Sequence, residues 1–94
     1  MQSLGNLLSV CYLFKQGKFG IEEFQSRLLT AAIPDNISKS FANELVVFDN
    51  RIEEIIFCSA PSLRKQYADK VADDLIQATL IEQKRLIEAG SYKK

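Results

Sequence analysis

The residues best suited to chemistry in this 94-residue chain are carboxylates, gathered in its second half as Asp49, Glu53 and Glu54, then Asp69, Asp73 and Asp74. Asp49 and Glu53 are four positions apart, as are Asp69 and Asp73. On a helix each pair therefore lies one turn apart along one face, where like charges repel by a few tenths of a kcal/mol. Paired carboxylates can act as general acid and base across a cleft, bind a di-metal centre together with histidines, or dock a basic partner. A compact helical chain of this length has little room for a cleft, and it contains no histidine. Zinc sites, di-metal bundles and Ser-His or Cys-His catalysis are therefore not expected. The expectation is a binder and not an enzyme, with no catalytic residue, metal or cofactor, and with Asp49, Glu53, Glu54, Asp69, Asp73 and Asp74 as partner-binding residues. Uncompensated repulsion within the two acidic pairs favours this reading. If the helices carrying them are neighbours, the pairs merge into one negative ridge suited to a basic protein. The competing reading is an ordinary solvated surface of mixed sign, because Arg51, Arg64, Lys65 and Lys70 are interleaved with the acids.

Twelve basic residues balance twelve acidic ones, so the broad positive footprint of nucleic-acid and anionic-membrane binders is missing. A helix-turn-helix reading of the first hairpin puts Glu22 and Glu23 against phosphates and leaves Gln25, Ser26 and Arg27 for base edges, which argues against DNA. No run approaches the roughly 20 apolar residues that span a bilayer, and no helix pairs a basic face with aromatics. Cys11 and Cys58 form no C-x-x-C pattern and interrupt apolar helical runs, so both read as buried reduced thiols in a cytoplasmic protein. Lys15 follows the first apolar run instead of preceding it, the reverse of a secretory signal.

Four elements must position these residues. Leu4, Leu7, Leu8, Cys11 and Phe14 recur at threes and fours, which predicts a first helical stripe. Gly17 closes that helix in the left-handed conformation, and Gly20 opens a second whose stripe is Ile21, Phe24, Leu28 and Ala31 or Ala32. Phe19, between the glycines, plugs the end of the hairpin. The stretch lacks the Lys-Ser/Thr pair and preceding strand of a phosphate loop, so "LFKQGKFGIEEFQSRLL" joins two helices. Pro34 stops the second helix, and Asp35, Asn36 or Ser38 caps a third with stripe Ile37, Phe41, Leu45, Phe48, Ile52 and Ile55. Pro61 opens a fourth, with Ser59 or Ser62 as cap and Leu63, Tyr67, Val71, Leu75 and Ala78 facing inward, widened by Ala72, Ile76 and Leu80. Gly90 ends it. The fold class is all-α, a compact antiparallel four-helix bundle of one domain, 1–94, with helices at roughly 3–16, 20–32, 36–58 and 61–89 and a tail at 90–94.

The hairpin "LLSVCYLFKQGKFGIEEFQSRLL" resembles that of the bacterial self-protective colicin-like immunity proteins, the colicin D and contact-dependent growth inhibition type. There a leucine-rich helix ends in a short Gly/Lys turn, followed by a hydrophobic residue and a helix opening with Glu-Phe. Here these features fall on Leu7, Leu8, Leu13, Phe14, Gly17, Lys18, Phe19, Glu23 and Phe24. The later stretch "ELVVFDNRIEEIIFCSAPSLR" is similar as well, and together the two cover about two thirds of the chain in pattern. The resemblance implies a monomeric helical protein that binds and neutralises the nuclease domain of a cognate bacterial toxin, a tRNA-directed ribonuclease, in a 1:1 complex. The family contributes no catalytic residue. Other classes consistent with the residues are a small helical regulatory or scaffold module and, more remotely, a DNA-binding regulator.

Overall fold

The computed structural model describes residues 4–31, 33 and 37–88. Its four helices are α1 (Gly5–Lys15), α2 (Ile21–Thr30), α3 (Lys39–Cys58) and α4 (Pro61–Glu88). The first stripe forms as its spacing predicts, with Leu4, Leu7, Cys11 and Phe14 all fully buried. Gly17 ends α1 at φ +82°, and the Gly17 and Lys18 amides donate to the Phe14 and Leu13 carbonyls at 2.9 and 3.1 Å. This is the Schellman arrangement, in which a left-handed residue lets the chain reverse while the last carbonyls stay satisfied. Gly20 caps α2 through its backbone, and Phe19 stands half-buried with its ring 6.3 Å from that of Phe14. Phe14 in turn stacks on Phe24 at 4.3 Å, so the hairpin closes over three aromatic rings.

Ser38 is the cap of α3; its hydroxyl accepts from the Phe41 amide at 3.0 Å. The alternative caps Asp35 and Asn36, the stop at Pro34, and Gly90 with the tail at 90–94 lie outside the described residues. At the next junction Pro61 is itself the first helical residue, where its missing amide hydrogen costs nothing. Neither proposed serine caps α4: Ser59 instead terminates α3, and Ser62 lies within the helix.

Side-chain contacts fix the directions of the helices. Leu4 shares a cluster with Leu86, while Lys15 pairs with Asp73, so α1 runs antiparallel to α4. Ser38 meets Glu82 and Arg51 meets Asp74, so α3 does the same on the other side of α4. Gln25 reaches Asp49 and Glu53, bringing α2 alongside α3. Each helix thus touches its two neighbours, α2 also meets α4 across the middle, and α1 and α3 stay apart on the other diagonal. The result is the expected all-α antiparallel four-helix bundle, 48 × 24 × 19 Å. No described helix is long and apolar enough to cross a membrane.

Two expectations about burial need correction. On α4 the buried arc is Ala68, Val71, Ala72, Leu75, Ile76, Thr79, Glu82 and Leu86, whereas Leu63, Tyr67 and Leu80 are exposed. The small Ala68 and Ala72 set the seam, because they allow close helix approach. Leu63 and Tyr67 then fall to one flank of the arc and Leu80 to the other. Of the two thiols, both free, only Cys11 is buried; Cys58 is exposed in the last turn of α3, whose Ile55 and Ile56 are the residues that pack on the core.

Candidate protein-docking surface on α3

The six carboxylates do not form one ridge. Although α3 and α4 pack together, Asp69 and Asp73 turn toward α1 while Asp49 and Glu53 turn toward α2, on opposite flanks of the bundle. The α4 acids are also neutralised within the fold. Lys65 holds Asp69 at 2.6 Å, Lys15 pairs with Asp73, and Arg51 and Lys70 hold Asp74 at 3.0 and 2.9 Å. The hydrogen bond from Lys70, reinforced by Arg51, keeps the Asp74 carboxyl below its ordinary pKa despite partial burial, and the bond to Asp73 raises that of Lys15. The repulsion expected between Asp69 and Asp73 is therefore offset by cations of α1 and α4.

The α3 acids differ. Asp49 and Glu53 both accept from the Gln25 side-chain amide, at 3.2 and 2.7 Å, and neither faces a cation among the described residues. Glu54 is exposed and has no hydrogen bond or ion pair among the described residues. Gln25 holds its two carboxylates parallel without neutralising them, since an amide donates but carries no charge.

Apolar side chains that the sequence reading did not assign to any surface stand among these charges. Phe57 is 76% exposed, Val46 60% and Val47 54%; Phe57 and Val46 lie opposite the buried Phe41, Phe48 and Ile52 on the helix, and Val47 lies on the flank toward α4. Val47, Glu53, Glu54 and Phe57 line a shallow depression together with Asn50 and Arg51. A signal for this was present in the sequence. α3 carries more apolar residues than one stripe can hold, and Val46, Val47 and Phe57 are the surplus. Beside this face a wider groove of about 660 Å³ runs between α3 and α4, with Phe41, Phe48 and Ala78 in its floor and Val47 and Ile81 at its rim.

Catalytic alternatives gain nothing from this geometry. The described residues contain no group of three or more His, Cys, Asp or Glu able to hold a metal ion. The Cys11 thiol is pushed up to about 12 by burial, slightly opposed by Lys15, and is a core residue and not a nucleophile. On α2, Arg27 is bonded to Glu23 at 2.8 Å and lies over the Phe19 ring, so the one cation available to a DNA-reading helix is already engaged.

What fold and surface together define is a helical bundle with an exposed acidic and apolar helix face. No family model, curated protein or solved structure matches the chain.

Proposed function

We propose that this protein is an immunity protein: it binds a cognate bacterial toxin nuclease domain, one to one, and neutralises it by covering a basic RNA-binding surface with the outer face of α3. The observation that carries the reading is the combination, across the outward half of α3, of Asp49, Glu53 and Glu54 without cation partners among the described residues and of exposed Phe57, Val46 and Val47. Carboxylates take the place of RNA phosphates and steer the encounter, and the apolar residues supply the desolvated anchor. Because Asp69, Asp73 and Asp74 are engaged within the fold, they contribute to the bundle first and to the interface second.

The test is inhibition of tRNA cleavage by the nuclease domain encoded beside this gene. Charge reversal at Glu53 and Glu54 abolishes protection at physiological salt, and reversal at Asp69 and Asp73 leaves it largely intact. Equal loss from both pairs would refute the assignment to α3. A second reading, a scaffold module that takes a partner helix, draws on the groove over Phe41, Phe48 and Ala78. It is favoured instead if Ile81→Asp, at the groove rim, blocks association while the Glu53 and Glu54 reversals do not.

A further inference from the structure

A pocket of about 240 Å³ opens between α2 and α3, just beside the face described above. Its floor reaches the core at Leu7, Phe48 and Leu75; its mouth is Leu29 and Val46, which are 67% and 60% exposed; its one charge among the described residues is Asp49. An apolar cavity of about 150 Å³ holds a benzene molecule, whereas cofactor and drug-sized ligand sites run from about 300 Å³ upward. This one has the capacity for a single phenyl or branched aliphatic group. Asp49 is half-buried at the rim and is held by the neutral Gln25 amide, with no cation beside it among the described residues.

We infer that this pocket is the specificity anchor of the docking surface: it receives one large apolar side chain of the partner protein, next to a lysine or arginine that pairs with Asp49. The assignment rests on the protein-binding role proposed above and adds the chemistry it selects. Charge complementarity defines the occupant. A purely apolar group would leave the Asp49 carboxylate desolvated and unpaired, so the pocket discriminates against partners without the adjacent cation. Glu53, one turn further along and bonded to the same amide, extends the preference for positive charge along α3.

The test needs no toxin. Phenethylammonium carries a phenyl group next to a cation, and phenethyl alcohol is the same body without charge. Titrated into the full chain and followed by methyl NMR, both shift the resonances of Leu29, Val46 and Leu75 with millimolar midpoints. Asp49→Asn raises the midpoint for the ammonium about threefold, the scale of a partly exposed ion pair, and leaves that of the alcohol unchanged. Val46→Trp, at an exposed position that folding tolerates, closes the mouth and removes both responses. Methyl shifts absent for both compounds, or shifts that persist in Val46→Trp, would overturn the anchor. So would saturation by the free amine at micromolar concentration, which marks a small-molecule site. The two proposals fail separately. Nuclease inhibition retained in Val46→Trp sinks the anchor and spares the immunity role, whereas absence of any inhibition by the wild-type chain sinks that role while the titration still reports on the pocket.

Discussion

Replacing Glu82 tests how α3 is held to α4. The side chain is only 5% exposed, and its carboxylate accepts from the Ser38 amide at 2.7 Å and the Ser38 hydroxyl at 3.0 Å, while the Arg85 guanidinium grips it in a fork at 2.9 and 3.2 Å. Ser38 is also the cap of α3, so one carboxylate fastens the start of one helix to the last turns of another. Glu82→Ala removes the acceptor of an inward-facing amide hydrogen. Hydrogen bonds to charged groups contribute about 1.5–3 kcal/mol each, and two are lost at Ser38, partly recovered by water; the expected cost is about 3 kcal/mol. A domain of this size has a total stability of about 5–14 kcal/mol, so the loss is a large fraction, and it lowers Tm by about 12–24 °C. Glu82→Gln keeps an acceptor for Ser38 but not the charge, and falls between wild type and alanine. Urea unfolding followed by far-ultraviolet circular dichroism measures both, with the slope unchanged if the variants still unfold in two states. A loss below about 0.5 kcal/mol for Glu82→Ala, the range of an ordinary surface substitution, would refute the fastening role.

Gly17→Ala forces a side chain into φ +82°, although the new Cβ meets nothing within 4 Å, so only backbone strain counts and the cost is about 1–2 kcal/mol by thermal denaturation. Acid lability follows from Glu82 and Asp74, whose carboxyls are held below their ordinary values of 4.5 and 3.8, the first chiefly by Arg85 and Ser38 and the second by Lys70 and Arg51. A depressed folded-state value means that the stabilisation is complete above the ordinary value and drains away as pH falls through the folded one. Unfolding midpoints measured from pH 6 downward therefore fall below about pH 4.5, and the fall is shallower in Glu82→Gln. Iodoacetamide alkylates the exposed Cys58 of the native protein and spares Cys11, whose thiol is pushed up to about 12; mass spectrometry before and after denaturation reads the difference.

The helices were legible in the sequence because local rules and burial agree for them. Gly17, the Ser38 cap, Pro61 and the stripes of α1 and α3 each act within a few residues of themselves, which is the range over which periodicity is informative. The stripe on α4 was misassigned at Leu63, Tyr67 and Leu80 because a 28-residue helix presents apolar residues around much of its circumference. Which arc faces inward then depends on where α1 and α3 press against it, a tertiary fact. The carboxylates show the same limit. Spacing placed Asp69 and Asp73 on one face correctly, and Lys65, one turn away, holds Asp69, but Asp73 is neutralised by Lys15, 58 positions distant. The engagement of Asp73, and that of Asp74 by Arg51, thus appears only when the bundle is assembled. Phe57 was within reach of sequence reasoning, as an apolar residue left over once the inward stripe of α3 is complete.

α2 and α4 each lie against both α1 and α3, while those two make no direct helix-to-helix contact across the bundle. The exposed Glu54 and Phe57 of α3 are therefore remote from Phe14 and Phe24 and can be exchanged without forcing any adjustment there, whereas Asp49 and Glu53 stay tied to the first hairpin through Gln25. The bundle thus has a fixed chassis and an interchangeable facade: part of one helix surface can be redrawn while the packed core is left in place.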